Sequence, residues 1–235
     1  MRAADERPWL LDLFAGAGGA GEGYRRAGFH VVSCDIALQK HNPHEFYQDD
    51  ALAVLDTLLA GQEWHGYRLH DFQAIHASPP CQEYSALRYL KHKKYAALLS
   101  DVRERLIASR LTWILENVER APMHQGVMIC GTALDMNVRR HRLFDSSHFL
   151  YPPGPCRHRP ENINVYGHGA WNYERRDPSW GWTRKNTTQR PISVDVARAA
   201  FEVSWMNRNE MAECVPPAYT QWIGAQLLPV ISRAA

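Results

Sequence analysis

Two chemically complementary residues each follow a short apolar run of the chain. Cys81 lies in the segment SPPCQ (78–82), after the apolar run 72–77, and Glu116 begins the segment ENV (116–118) after a second such run. If both runs are strands of one parallel sheet, both residues lie at strand carboxyl ends, where ligands and catalytic groups gather. A thiolate is a nucleophile and a carboxylic acid is a proton donor. This pair favours attack on an electron-poor ring without a metal.

Carbon 6 of a pyrimidine is such a ring position. Addition of the Cys81 thiolate there makes C5 a carbon nucleophile, provided that an acid such as Glu116 relieves the charge on N3. The alternative is that Cys81, beside two prolines, is a small buried hydrophobic residue, a common role for cysteine. The second motif favours the catalytic interpretation.

The motifs SPPCQ and ENV together resemble the two catalytic motifs of the DNA (cytosine-5)-methyltransferases. The segment DLFAGAGG (12–19) resembles the first motif of that family, a glycine turn after the first strand that approaches S-adenosylmethionine. The glycine spacing of residues 16–21 alone also fits a dinucleotide-binding turn. The resemblance spans about residues 9–149 and 190–232.

The resemblance implies S-adenosylmethionine as the cofactor. Asp35 is expected to accept hydrogen bonds from the ribose and Asp50 to contact the adenine amino group; the alternatives are a turn aspartate and an N-cap of the following helix. The predicted cofactor-binding residues are Asp12, Phe14, Ala15, Gly16, Gly18, Gly19, Asp35, Ile36, Asp50, Ala51 and Pro79.

The segment RRHR (139–142) resembles the eighth motif, Gln-x-Arg-x-Arg, with Val138 at the glutamine position. The resemblance implies that Arg140 or Arg142 contacts O2 of the cytosine; a solvated basic turn is the alternative. Segments 190–194 and 214–219 resemble the ninth and tenth motifs, where Glu213 and Cys214 replace the usual Gly-Asn.

Positive charge is concentrated near the predicted site. Residues 139–190 carry ten Arg or Lys against four Asp or Glu, whereas the whole chain has a net charge of +2. Such a segment indicates contact with a phosphate backbone, and double-stranded DNA is the predicted partner; a solvated basic loop with a small tryptophan core is the alternative. By the same resemblance, the basic run 88–94 corresponds to the family's loop that closes over the flipped base, and an exposed helix start is the alternative. The predicted substrate contacts are Pro80, Gln82, Ser85, Arg88, Lys91, Asn117 and Val118.

Apolar runs alternate with helical patterns along the chain. Strands are expected at 9–14, 29–34, 72–77, 111–115, 126–129 and 143–150, and helices at 20–27, 51–60, 95–109 and 218–231, the last interrupted near Pro229. Alternation of this kind predicts an α/β protein with a parallel sheet, and the resemblance makes it a Rossmann-like S-adenosylmethionine-dependent methyltransferase fold. Residues 1–149 and 190–235 would form the catalytic domain, and 150–189 a short, irregular target-recognition region.

Composition supports one domain with a real core, since 45% of the 235 residues are hydrophobic. Without a membrane-length apolar stretch or a secretory segment in residues 1–7, we expect a soluble, cytoplasmic monomer. Five cysteines without a CxxC pair argue against disulfides and a zinc cluster. Cys156 and His158 offer half of a zinc site, but no second pair is evident, so no metal is predicted.

Three other functions fit parts of the sequence. An RNA cytosine-5 methyltransferase would keep every catalytic residue. A silent nucleic-acid-binding protein would explain the charge but would not need Cys81 with Glu116. A nucleotide-dependent oxidoreductase would need only the glycine turn and Asp35, and it leaves SPPCQ and ENV unexplained.

Overall fold

The computed structural model describes residues 7–80, 98–165 and 192–234, which form a seven-stranded sheet flanked by helices. The strands are β1 Trp9–Leu13, β2 His30–Asp35, β3 Glu45–Gln48, β4 Ala74–Ala77, β5 Thr112–Asn117, β6 Val127–Cys130 and β7 His141–Ser146. The helices are α1 Gly19–Ala27, α2 Ala51–Leu59, α3 Leu98–Ser109, α4 Val194–Phe201, α5 Arg208–Glu213 and α6 Pro217–Ala234. The predicted α/β class is confirmed.

The strand order of the sheet is β3-β2-β1-β4-β5-β7-β6. Strands β1 to β5 pair in parallel, and β7 is antiparallel to both of its neighbours. The chain leaves β1 toward β2 and β3, then returns to form β4 on the other side of β1. This reversal opens a crevice beyond the carboxyl ends of β1 and β4, the usual ligand position in open α/β sheets.

Helices cover both faces of the sheet because neighbouring strand residues point to opposite sides. Leu11 packs with buried side chains of α2 and α3, whereas Leu10 packs with those of α1 and α6. The strands buried on both faces are the near-continuous apolar runs of the sequence. Helix α6 approaches α1 so closely that a Cβ on Gly23 would lie 2.0 Å from the Pro217 carbonyl oxygen. Residues near the carboxyl end therefore complete the packing around the first helix.

Several details of the predicted elements are wrong: the sheet is not wholly parallel, since β7 is antiparallel, and helix α4 was not predicted. The sequence prediction missed β3, a short edge strand of partly exposed residues without a clear apolar alternation. The predicted break near Pro229 is absent, because α6 continues to Ala234. Pro229 lies on the exposed side of this helix, while Ile223, Leu227 and Ile231 are buried on the other. Packing of that face therefore outweighs the helix hydrogen bond that proline removes. Among the described residues, no helix has the length and apolarity needed to cross a bilayer.

Candidate active site

The glycine turn after β1 lies across the end of β2. Phe14, Gly16 and Gly18 all have positive φ angles, of 57°, 50° and 80°. Glycine adopts such angles without strain, whereas Phe14 does so at a cost that is typical of functional turns. The Gly16 N–H donates to Asp35 Oδ2 at 2.9 Å, and the Ala37 N–H donates to Oδ1 of the same carboxylate at 2.9 Å. Asp35 therefore fixes the turn to the end of β2.

The start of α1 is packed too tightly for any side chain at Gly19. A Cβ there would lie 2.3 Å from Cys214 Sγ and 2.6 Å from the Val215 carbonyl oxygen. Cys214 is buried, and its thiol donates to the Val215 carbonyl at 3.0 Å. Cys214, which replaces asparagine in the tenth motif, thus places a small side chain against the glycine turn. Its thiol already has a hydrogen-bond acceptor in the Val215 carbonyl.

Asp12 lies below this turn and has no exposed surface. Burial raises the pKa of Asp12 to about 8; the Gly21 backbone N–H opposes this shift, and the negative charge of Asp35 adds to it. Asp12 is therefore mainly protonated at neutral pH. Because no atom of Asp12 is accessible, we infer that it supports the turn, and its contact with the cofactor stays a prediction.

The ends of β4 and β5 are joined directly. The Asn117 side-chain amide donates to the Pro79 carbonyl oxygen at 3.1 Å in a buried hydrogen bond, and its own oxygen accepts the Val118 N–H at 2.9 Å. Pro79 precedes Cys81 by two residues, and Asn117 directly follows Glu116. The described residues of the two motifs, which are far apart in sequence, therefore meet at the carboxyl ends of β4 and β5.

Glu116 is a buried acid beside a buried arginine. Its carboxyl oxygen Oε1 lies 2.8 Å from Arg142 Nε. Burial raises the pKa of Glu116, an effect opposed by the charges of Arg142 and Arg140 and by a hydrogen bond from the Ser78 hydroxyl. The shift favours the protonated form, the form that can donate a proton.

A chain of polar side chains in hydrogen-bond contact leads from Tyr24 on α1 to Glu116. Tyr24 Oη lies 3.0 Å from His76 Nδ1, and His76 Nε2 lies 2.7 Å from Ser78 Oγ. Burial lowers the pKa of His76 to about 3, so the imidazole is neutral. This network connects α1 to the acid. Sequence analysis missed it, because a tyrosine and a histidine 52 residues apart give no local signal.

The two buried arginines of RRHR, Arg140 and Arg142, have different surroundings. Arg140 is 1% exposed, and its guanidinium donates to the carbonyl oxygens of Val165 at 2.7 Å and Ala212 at 2.8 Å. Arg142 instead lies against Glu116 at the end of β5. Arg140 therefore connects three distant chain segments, and Arg142 is the arginine that borders the candidate site. Val138, at the glutamine position, is fully buried and bridges to Ile163.

Comparison with known proteins gives the family. No family model matches the chain. It is 26% identical over 154 residues to the DNA (cytosine-5)-methyltransferase PliMCI of Paracentrotus lividus, a match that covers 55% of this chain and 9% of that protein. It is 32% identical over 120 residues to the type II methyltransferase M.HgiDI of Herpetosiphon aurantiacus, covering 47% of this chain and 37% of the relative. The type II methyltransferase M.HgiGI of the same organism is 31% identical over 120 residues, which are 47% of this chain and 90% of the relative. The chain belongs to the DNA (cytosine-5)-methyltransferase family.

The fold of this chain is similar to solved methyltransferase structures. A Dnmt2 methyltransferase from S. pombe superposes with a TM-score of 0.58 over 95% of this chain and 99% of its own, at 11% identity. A Dnmt2 mutant from Spodoptera frugiperda gives a TM-score of 0.56 over 96% of this chain and 99% of its own, also at 11% identity. The predicted Rossmann-like methyltransferase fold is confirmed.

Family membership also confirms S-adenosylmethionine as the cofactor, and the residues at the crevice fit it. The Asp35 carboxylate lies at the end of β2, and the adjacent Ile36 side chain is 69% exposed. An exposed isoleucine beside an acid offers an apolar surface to a purine and acceptors to a ribose. Asp50 is exposed and caps α2, accepting the Leu52 and Ala53 N–H groups through Oδ1. The N-cap interpretation of Asp50 is thus confirmed, while its contact with adenine stays a prediction.

Several predicted residues of this methyltransferase-family chain lie outside the part that the structure describes. These are Cys81, Gln82, Ser85, Arg88 and Lys91, together with residues 166–189 of the predicted recognition region. The described part of that region, 150–165, packs against the sheet: the Arg139 N–H donates to the Ile163 carbonyl at 2.9 Å. The Tyr151 carbonyl accepts the indole N–H of Trp222 on α6 at 2.9 Å.

Proposed function

We propose that this chain transfers a methyl group from S-adenosylmethionine to C5 of cytosine in double-stranded DNA. The hydrogen bond between Asn117 and the Pro79 carbonyl carries this proposal. It holds the segment that leads into Cys81 against the strand end that bears Glu116. A nucleophile and an acid on adjacent strand ends are what addition to a pyrimidine ring requires.

Glu116 is the acid of the proposed reaction. Burial raises the pKa of its carboxyl, which favours the protonated form that can share a proton with N3 of the cytosine. The Ser78 hydroxyl and Arg142 contact the same carboxyl and restrict its orientation. Orientation matters because proton transfer needs heavy-atom distances within hydrogen-bond range.

Arg142 is the proposed donor to O2 of the cytosine. Its guanidinium reaches Glu116 and keeps further N–H groups, one of which donates to the His141 carbonyl at 2.9 Å. A cation beside the base stabilises negative charge that spreads to O2 when the thiolate adds to C6. The carbonyl partners of Arg140 support a structural role for it, so we propose Arg142 for the contact with O2 that the sequence left open between the two.

Cys81 is the proposed nucleophile, and it follows Pro80 directly. Addition of its thiolate to C6 makes C5 nucleophilic; loss of the C5 proton after methyl transfer then expels the thiolate. Gln82, Ser85, Arg88 and Lys91 stay predicted contacts to the flipped cytosine and the flanking phosphates.

The glycine turn, Asp35, Ile36 and Asp50 would hold S-adenosylmethionine, which supplies the methyl group when bound. Asp35 already accepts two backbone N–H groups, and a carboxylate has further lone pairs for ribose hydroxyls. Pro79, within the SPPCQ motif, is buried, and its contact with the cofactor stays a prediction. Phe14 and Ala15 belong to the glycine turn and Ala51 begins α2, and their contacts with the cofactor stay predictions.

Two observations support DNA as the substrate. The relatives PliMCI and M.HgiDI are a DNA (cytosine-5)-methyltransferase and a type II methyltransferase. Residues 139–190 carry an excess of six positive charges, which suits a phosphate backbone. We propose that residues 150–189 contact the target sequence, and that residues 1–149 with 190–235 form the catalytic domain.

The test is a methylation assay followed by nucleoside analysis. The purified protein and S-adenosylmethionine are incubated with unmethylated duplex DNA or with RNA, and the nucleosides are examined by mass spectrometry. We expect 5-methylcytosine in DNA with the wild-type protein and none with Cys81→Ala, which should bind the cofactor normally. Product in RNA alone would overturn the DNA assignment, and full activity of Cys81→Ala would overturn the mechanism.

A further inference from the structure

Four potential metal ligands converge at one edge of the sheet, outside the proposed active site. Cys130, His141, Cys156 and His158 each direct one ligand atom to the same place, and these atoms all lie within 4.8 Å of one another. They come from three parts of the chain: the end of β6, the start of β7 and the segment after it. Sequence analysis found only the second half of this group.

The pairing of β6 and β7 supplies the half that the sequence did not show. Cys130 and His141 are direct cross-strand partners in the antiparallel pair. Side chains of such partners lie on the same face with their Cβ atoms about 5 Å apart. A Cys and a His eleven positions apart therefore form a pair only once the hairpin register is known.

The distances within the cluster fit a tetrahedral ion. His141 Nε2 lies 3.1 Å from His158 Nε2, Cys130 Sγ lies 3.4 Å from His158 Nε2, and Cys156 Sγ lies 3.5 Å from His141 Nε2. Zinc with ligands at about 2.3 Å for sulfur and 2.0–2.1 Å for nitrogen places tetrahedral neighbours roughly 3.3–3.8 Å apart. These three distances match tetrahedral zinc geometry to within a few tenths of an ångström, and all four ligand atoms lie within 4.8 Å of one another.

The outer hydrogen bonds of the cluster also suit a metal centre. His141 Nδ1 lies 3.3 Å from Glu119 Oε2, so the ring nitrogen that does not face the cluster meets a carboxylate. Cys130 Sγ lies 3.3 Å from Thr132 Oγ1, and the Arg157 N–H donates to the same hydroxyl at 3.1 Å. Carboxylate partners of this kind orient metal-bound histidines, and hydroxyl groups stabilise bound thiolates.

We propose that Cys130, His141, Cys156 and His158 bind a structural Zn²⁺ ion. Two thiolates and two imidazoles with tetrahedral spacing are a typical zinc donor set. With four protein ligands the coordination is complete, which indicates a structural ion with no open position for substrate.

The position of this site explains what the ion would do. His141 directly precedes Arg142, and Glu119 follows Glu116 by three residues. The ion would therefore lie next to the segments that carry Glu116 and Arg142. Cys156 and His158 belong to the start of residues 150–189. Zinc would therefore fasten that segment to β6 and β7 and restrict the strand that carries Arg142.

Metal content tests the proposal without any substrate. Protein prepared without a histidine tag, dialysed and measured by elemental mass spectrometry, should contain about one Zn²⁺ per chain. Cys156→Ser and His158→Ala should lose most of it. Cys34→Ser, on β2 at the far side of the sheet, and His70→Ala, at an exposed position, are matched controls that should keep it. Cys81→Ser should also keep its zinc, which separates this proposal from the proposed catalytic role.

Cobalt substitution provides a second measurement that does not depend on how the variants fold. Wild-type protein stripped of metal and loaded with Co²⁺ should show tetrahedral visible bands and a thiolate charge-transfer band. Removing zinc with a chelator should lower the midpoint of thermal unfolding, and adding zinc back should restore it. Wild-type protein that lacks zinc and does not give the cobalt spectrum, or that contains a Cys130–Cys156 disulfide, would overturn the proposal.

Discussion

Asp12→Asn should stabilise the protein in a strongly pH-dependent manner. Asp12 is fully buried, and its pKa is raised from 3.8 to about 8. Between pH 3.8 and about pH 8, Asp12 is protonated in the folded protein but ionised in the unfolded chain. The free energy of unfolding therefore falls as the pH rises through this window. The loss is complete above pH 8, where Asp12 is ionised in both states. A pKa change of this size corresponds to about 6 kcal/mol as an upper value.

Asparagine has nearly the same shape as aspartic acid but cannot ionise. The free energy of unfolding of Asp12→Asn should therefore exceed that of wild type by about 2 kcal/mol or more at pH 8, with only a small difference at pH 4.5. Urea denaturation at both pH values measures this. Asp195→Asn replaces an acid whose side chain is 89% exposed, and it should show no comparable pH-dependent gain.

Cofactor affinity separates the supporting role of Asp12 from direct contact. Titration calorimetry should give similar dissociation constants for wild type and Asp12→Asn. Asp35→Asn should weaken binding about tenfold or more, since it removes a charged acceptor at the end of β2. An equal stability difference at both pH values would refute the assignment of a buried, protonated Asp12. A large loss of cofactor affinity in Asp12→Asn would refute its supporting role.

The remaining predictions concern the acid, the two arginines and a buried ion pair. Glu116→Gln should lower kcat about 10²–10⁴-fold while leaving the cofactor dissociation constant within a few-fold; single-turnover kinetics measure this, and near-normal kcat would count against the acid. Arg142→Lys should lower kcat about 10²-fold with little change in stability. Arg140→Lys should instead lower the free energy of unfolding by about 1.5–3 kcal/mol, because one backbone carbonyl loses its donor. A loss of kcat in Arg140→Lys with a loss of stability in Arg142→Lys would contradict the roles given to the two arginines. Arg103→Met leaves the buried Asp145 carboxylate, 2.8 Å from Arg103 in wild type, without its cation, and should cost about 3–5 kcal/mol in urea denaturation; a loss below 1 kcal/mol would contradict this.

The sequence predicted most of the sheet, because buried parallel strands are apolar runs. Leu10, Leu11 and Leu13 are all fully buried, on alternating faces, and such runs are visible without any knowledge of the partners. The edge strand β3 was missed for the opposite reason, since its partly exposed residues lack that signal. Pro229 was misjudged because the local cost of proline was visible, while the packing of α6 against α1 was not.

Residues of the candidate site that depend on distant partners could not be assigned from the sequence. Arg140 and Arg142 are equivalent in the motif, and they are distinguished by the carbonyl partners of Arg140 and the contact of Arg142 with Glu116. The Cys130 and His141 pair needed the register of β6 with β7. In each case the missing information was a contact between residues far apart in sequence.

Trapping of a covalent complex tests the central claim most directly. In duplex DNA that contains 5-fluorocytosine at the target position, the fluorine on C5 cannot leave as a proton does, so the proposed elimination of Cys81 is blocked. With S-adenosylmethionine present, we expect a stable protein–DNA complex, with peptide mapping that places the bond on Cys81, and no complex with Cys81→Ser. Methylation of ordinary cytosine by a protein that forms no such complex, or a bond at another residue, would contradict the account.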